Sequence, residues 1–339
     1  MKFKDPVIIR EGPALTMHCI AFDSFGVKGM CTRIETPDVV ATIDPGVSAQ
    51  TAEFPLPEEQ RRQLLTDYQQ LVRESCARSQ ILIISHYHLD HFVDSRDPAI
   101  YSEKVIFAKA IDDLPQKQQE TARRFFKTID GLPKEIIWAD GRRFKFKKTE
   151  IGFSSPLWHG QVQAEPGKVI MTDIRRGKEC ILISSDVAGP VDPKVTETIC
   201  RLNPRQAVID GYPSFLQSNP STDIDLLKSI INLCRILSLP ALKTLILDHH
   251  LARDYRYPAL YKLVYAKAKK LKKKFGTAAE LNGQNSVVLE ALQNYGTTRW
   301  HRWQPIELET ARSNLEKALA SGKLTPEWLT LFDRWVLSD

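Results

Sequence analysis

The chain has 339 residues, 42% of them hydrophobic, and 47 Lys and Arg against 41 Asp and Glu give a net charge of +6. That length and apolar share suit a single globular enzyme core, and no run approaches the ~18 consecutive apolar residues of a membrane span. The first residues, Met1 to Pro6, lack the apolar stretch and cleavage site of a secretory signal, and the six cysteines are scattered without a C-x-x-C pair, as buried reduced thiols of a cytoplasmic protein would be.

The opening third reads as strands over 14–22, 29–35 and 39–43, separated by the turn Ser24-Phe25-Gly26-Val27-Lys28 and by Thr36-Pro37-Asp38. Pro57-Glu58-Glu59 opens a helix that runs to about Ser75, with proline and then acids in its first turn. Ile81-Leu82-Ile83-Ile84 is short, β-branched and bounded by polar residues, so it reads as a buried strand. The segment that follows, Ser85-His86-Tyr87-His88-Leu89-Asp90-His91, carries the most information in the chain. Imidazole and carboxylate are the ligand set of zinc and related divalent metals. His86 and His88, two apart, can face one ion, while Asp90 and His91 can turn to a second. A loop at the C-terminal end of a strand is also where open α/β sheets place their ligands.

Further on, 104–108 reads as a strand and 116–127 as a polar helix. Strands follow near 135–139, 143–146, 169–174 and 179–183, the last two joined by a hairpin turn at Arg175-Arg176-Gly177-Lys178. A second alternating half then runs helix 193–202, strand 207–209, helix 223–236, strand 242–247. Two strand-rich segments, each closed by helices, fit a four-layer αβ/βα arrangement. No internal sequence repeat is visible.

The stretch 261–274 reads as an amphipathic, basic helix with Lys267, Lys269, Lys270, Lys272, Lys273 and Lys274, stopped by Gly276. Lysines at a helix C-terminus meet the negative end of its dipole, so a solvated helix end is preferred to a nucleic-acid grip. From Tyr295 the tail reads as a helical extension of a 1–294 core, with helices over 305–320 and 326–336 either side of Gly322. Trp328, Leu331, Phe332 and Trp335 recur at helical spacing, as a stripe that packs on the core does. Arg299-Trp300-His301-Arg302-Trp303 adds arginines and aromatics of the kind that stack single-stranded bases.

His-x-His-x-Asp-His resembles the signature of the metallo-β-lactamase superfamily, and the other signature elements occur in order: Asp44-Pro45-Gly46 closing a strand, His159, Asp186 at a strand tip, and Asp248-His249-His250 after another strand. Six of the eight histidines fall on these elements, and the resemblance covers roughly residues 15–290. Ile43 to Val47, Asp248 to Asp254 and Thr277-Ala278-Ala279-Glu280 also resemble an uncharacterised, mostly archaeal branch of that superfamily. The resemblance implies the αβ/βα sandwich and two divalent ions, zinc first and manganese or iron as alternatives. It implies His86, His88 and His159 on one ion, Asp90, His91 and a late histidine on the other, and Asp186 bridging. His250 is preferred to His249 as the late ligand. Asp44, Asp248 and His249 are expected to support the ligands from outside. Asp90 would align the nucleophile or take up a proton, and Arg253 or Lys109 would hold an anionic substrate. Tyr212 and Ser214 lie on a loop that can reach the site.

The implied reaction is hydrolysis of a small-molecule ester, thioester, lactone, amide or phosphodiester, since fold does not choose between them. A nuclease or RNA-binding protein that uses the basic helix is the alternative. The short interval from Asp186 to His249 leaves no room for the large inserted domain of the superfamily's nucleases, and no flavodoxin-like extension is present. A cytoplasmic location argues against a true β-lactamase. A homo-oligomer fits, and a membrane partner does not.

Overall fold

A computed structural model describes residues 6–10, 14–93, 97–217, 219–298 and 305–337. The Arg299 to Trp303 cluster lies outside the described residues. Two seven-stranded sheets carry the fold. In the first, β1 (Val7–Ile9), β2 (Thr16–Phe22), β3 (Met30–Glu35), β4 (Val40–Ile43), β5 (Ile81–Ile84), β6 (Val105–Ala108) and β7 (Glu135–Trp138) lie side by side in chain order. Neighbours are antiparallel as far as β4 and parallel from β4 to β7. The second sheet repeats that plan with β8 (Arg143–Phe146), β9 (Thr149–Phe153), β10 (Thr172–Arg176), β11 (Glu179–Ile183), β12 (Gln206–Asp210), β13 (Thr244–Asp248) and β14 (Lys274–Gly276). Its switch from antiparallel to parallel falls at β11.

Parallel neighbours need crossover connections. Helices α1 (Glu58–Arg78), α2 (Gln116–Thr128), α3 (Pro193–Leu202), α4 (Ile224–Leu237) and α5 (Lys262–Lys270) supply five of the six. The sixth, between β5 and β6, is the ligand-rich loop itself. The sheets face one another: the Phe107 ring of β6 lies 4.5 Å from Phe144 of β8 and 5.3 Å from Phe153 of β9. This is the αβ/βα sandwich the sequence implied. All four side chains of β5 are at most 1% exposed. Burial of each contributes about 1.5–3 kcal/mol, which anchors the start of the loop it delivers.

Several elements depart from the sequence reading. β1 and β9 were not anticipated, and the strand expected at 169–174 is two pieces, Lys168–Val169 paired with Leu157–Trp158, and β10. The basic segment is not one helix. α5 ends at Lys270, Lys272 takes a left-handed turn at φ 53°, and Gly276 lies in edge strand β14 rather than at a helix stop. Lys267 is buried and Lys273 Nζ donates to the carbonyls of Leu239 and Leu242, so the lysines do not share one face.

The extension forms α6 (Leu308–Ala320) and α7 (Glu327–Phe332), which pack against α4. Ala311, Leu315 and Phe332 are buried in the common core, and Trp328, Leu331 and Trp335 pack against it. All six cysteines are free thiols. No helix among the described residues is long and apolar enough to cross a membrane.

Candidate metal centre

Asp44, the His86–His91 loop, Asp186, Asp210 and the pair His249 and His250 stand at or just beyond the C-terminal ends of β4, β5, β11, β12 and β13. His159 arrives from the short strand Leu157–Trp158. Asp44, Ser185 and His249 have left-handed backbones, with φ of 48°, 55° and 59°. Such non-glycine conformations cost of order 1–3 kcal/mol each and concentrate at functional sites. Gly46 is required for a different reason: a Cβ there would overlap the backbone nitrogens of His91 and Phe92, which pass directly over it.

The two oxygens of Asp186 divide the ligand-type side chains into two groups. Around Oδ2 lie His159 Nε2 at 3.2 Å, His86 Nε2 at 3.3 Å and His88 Nδ1 at 3.7 Å. Around Oδ1 lie His91 Nε2 at 3.0 Å and His249 Nε2 at 3.2 Å. The ligand atoms of His86, His88, His159 and Asp186 lie within 4.8 Å of one another, as do those of Asp90, His91 and His249. His91 Nε2 and Asp186 Oδ1 are buried and only 3.0 Å apart, yet neither makes a hydrogen bond. Buried polar atoms are rarely left so. Lone pairs that converge on a shared point without bonding one another, in a donor set of imidazole and carboxylate, fit a divalent cation.

Outer groups hold the rings. Asp44 Oδ2 lies 3.0 Å from His91 Nδ1, while the same carboxylate accepts from the Ser85 amide and hydroxyl. Ser85 Oγ is 3.0 Å from His86 Nδ1, and Gln118 Nε2 is 3.1 Å from His88 Nε2. Asp23 Oδ2 takes His249 Nδ1 at 2.6 Å, and its other oxygen accepts from Arg253 Nε and Gln50 Nε2, both at 2.7 Å. Partners of this kind fix ring orientation and tautomer.

The two late histidines turn different ways here. The Asp248 carboxylate accepts from the His249 amide, and the left-handed turn at His249 carries that ring to Asp186, with Asp90 and His91. His250 is drawn the other way, its Nδ1 lying 2.9 and 3.0 Å from the two oxygens of Asp210. Its ring still reaches the edge of the cluster beside Asp186 and His249. Asp248 acts through the backbone: its carboxylate accepts from the amides of Ser24, His249 and Ala278.

The centre opens into a cavity of about 690 Å³ bordered by Lys28, Asp90, Tyr212, Phe215, His250 and Arg253. The His250 and Phe215 rings are nearly parallel at 12°, and the Arg253 guanidinium sits 5.7 Å from the Phe215 centroid. Arg253 Nη2 also reaches Asp90 Oδ2 at 3.4 Å. Lys109 is not a substrate contact, because it is fully buried between Asp113 and Asp140. Ser214 is buried too and donates to Asp254.

Burial alone would raise the Asp186 carboxyl, but the imidazoles of His249, His91 and His86 outweigh it and hold it well below the usual range. Burial lowers His91, and Asp186 and Asp44 reverse that, bringing it up to about 10. Burial, then His91, pushes His86 down to about 3. A ring must be deprotonated to bind a metal, so His91 would have to give up its proton to serve as a ligand. Burial also raises Asp210, to about 7.

Asp23, Asp210 and Lys28 were not anticipated. Asp210 had a signal, since it closes an apolar strand as Asp186 and Asp248 do. Asp23 had none, being one acid in an ordinary turn.

No family model matches the chain. It is 34% identical over 281 residues to a UPF0282 protein of Metallosphaera sedula, covering 80% of this chain and 89% of that one. It is 32% identical over 288 residues to a UPF0282 protein of Methanopyrus kandleri, covering 81% and 96%. Among solved structures, a possible metal-dependent hydrolase from Veillonella parvula aligns with a TM-score of 0.46 at 12% identity, over 74% of this chain and 94% of that one. The metallo-β-lactamase fold protein YhfI of Bacillus subtilis aligns with a TM-score of 0.43 at 12% identity, over 78% and 97%.

Proposed function

This chain belongs to the UPF0282 family, and from that premise we propose that it is a metal-dependent hydrolase with a dinuclear centre and a small-molecule substrate. The observation that carries the reading is the division of five imidazoles around the two oxygens of Asp186, with Asp90 beside His91 and His249. In this reading His86, His88 and His159 would hold one divalent ion and Asp90, His91 and His249 the other, with the Asp186 carboxylate between the two groups. Assignment of His249 in place of His250 follows from its position beside Asp90 and His91. Bound divalent ions would supply hydroxide at neutral pH and stabilise charge developing on the attacked group.

The chain's own residues do the rest. Asp90 is turned toward the cavity, where it aligns the attacking group. Arg253, fixed by Asp23, and Lys28 present positive charge to an anionic part of the substrate. His250, its Nδ1 held by Asp210, faces the substrate beside Phe215.

Elemental analysis after purification from zinc- or manganese-supplemented medium tests the assignment. About two equivalents are expected in the wild-type chain, fewer in H249A, the wild-type content in H250A, and none in the H88A/D186A double variant. Metal-dependent turnover should appear in a panel of ester, thioester, lactone and phosphodiester substrates. A wild-type chain that takes up no metal sinks the reading.

A further inference from the structure

Of the three most exposed large apolar side chains among the described residues, two line this opening and the third lies in a segment that lines it. Leu89 (58% exposed) is in the metal loop, Val162 (61%) is three residues past His159, and Leu216 (65%) follows Phe215. Single exposed apolar residues are ordinary. Leu89 and Leu216 on separate loops of one opening, with Val162 between the lining residues Gln161 and Ala164, form the kind of apolar rim that ligand grooves use.

Beneath Leu89 a second cavity of about 650 Å³ runs between the metal loop and α2. Tyr87, Leu89, Phe92, Pro115, Phe125 and Pro166 supply its apolar walls, while Lys117, Gln118, Thr121, Arg124 and Thr128 of α2 and Glu165 add polar and charged groups to the lining. It shares His88, Leu89 and Pro166 with the opening over the metal centre, so it is a side chamber that adjoins that opening across these three residues. Its size and apolar walls are those of a small-molecule site.

We propose that this chamber receives an apolar arm of the substrate, a medium-length acyl chain or a group of similar bulk, lying next to the bond placed over Asp186. The proposal takes the position of that bond from the hydrolase reading, but the chamber's preference for apolar chains can be measured without turnover.

Calorimetric titration of the zinc-loaded protein with acetate, butyrate, hexanoate and octanoate tests it. The carboxylate is common to all four, so the dependence on chain length isolates the chamber. Affinity should rise by up to about fourfold per methylene, from ~0.8 kcal/mol per buried CH₂. The fillers T121W and T128W, placed on α2 away from the metal loop, should each flatten that rise while zinc content stays at the wild-type level. Equal affinity for acetate and octanoate in the wild-type chain overturns the proposal, as does a rise that survives in both fillers. A rise flattened by the fillers, with no substrate of any class hydrolysed, upholds the chamber and removes the hydrolase reading.

Discussion

Asp23 and His249, 226 residues apart in sequence, meet at 2.6 Å with neither side chain exposed to water. The contact joins the turn after β2 to the turn after β13, and it leaves His249 Nε2 aimed at Asp186. Asp23 therefore sets the direction of a proposed ligand without reaching the centre itself. D23N keeps the size and removes the charge that holds the ring. Metal affinity at the second position should fall about 10–100-fold, read by competition with a chromophoric chelator. Affinity at the first position should stay at the wild-type value. Equal loss at both positions would mean that Asp23 supports the fold and not the ring.

His250 and Asp210 should act as a unit. Both H250A and D210N are expected to retain two metal equivalents and lose turnover by roughly tenfold to a hundredfold, the value of a charge-assisted hydrogen bond. The double variant should be little worse than either single one, because the second change removes an orientation already lost. Additive losses in kcat would separate the two residues.

A buried ion pair ties the two loops of the second half together. Arg256 is fully buried, donates from Nε and Nη2 to Asp254, and reaches the carbonyls of Ser214 and Gln217 on either side of Phe215 and Leu216. R256M leaves the Asp254 carboxylate buried without its partner. A stability loss of about 3–5 kcal/mol is expected, read by urea unfolding of metal-free protein. Removing both charges in R256M/D254L should recover much of it. A double variant as unstable as R256M would assign the loss to packing.

His18 gives the stability a pH dependence outside the centre. Its ring is buried on β2, with Nδ1 3.3 Å from Arg33 Nη2 and Nε2 3.3 Å from Glu35. Burial, then the Arg33 charge, lowers its pKa below the ordinary value. The unfolded chain therefore takes up this proton first as pH falls, and stability drops with it. The contribution is complete above the unfolded histidine's pKa and is lost below it. H18Q should lose less stability than wild type between about pH 7 and about pH 5. Matching slopes in metal-free unfolding curves would rule His18 out as the source.

The lysine run separates a small-molecule hydrolase from a nuclease. Lys269, Lys270, Lys272 and Lys274 are exposed, whereas Lys267 and Lys273 are turned into the protein. Replacement of the four exposed lysines by glutamine should leave metal-dependent turnover unchanged, and RNA binding by the wild-type chain should be weak. Tight binding with a steep salt dependence, lost in the glutamine variant, would put the nuclease first.

The metal loop was legible in the sequence because histidine is scarce here and three fall within six residues after an apolar strand. Asp44 and Asp186 were legible through the family resemblance, whereas Asp210, which closes an apolar strand in the same way, was missed. What could not be read is direction. His249 and His250 are identical in type and adjacent, and only the left-handed turn and the pull of Asp210 decide which ring points inward. Nor could the sequence show which lysines lie along the protein surface and which are buried by their stems, since one-residue shifts in where α5 ends reassign them all. β9 went unseen because Gly152 interrupts a run of only five residues.

The chain positions of the ligands also set an order of assembly during synthesis. The first proposed metal position draws on His86, His88, His159 and Asp186, all present once β11 has emerged from the ribosome. The second needs His249, and His249 needs Asp248, whose carboxylate is held by the amide of Ser24 near the start of the chain and that of Ala278 near the end of the core. On the proposed assignment, every ligand of the first position would be made before the second could form. The other position is completed only when the beginning and the end of the core close on each other.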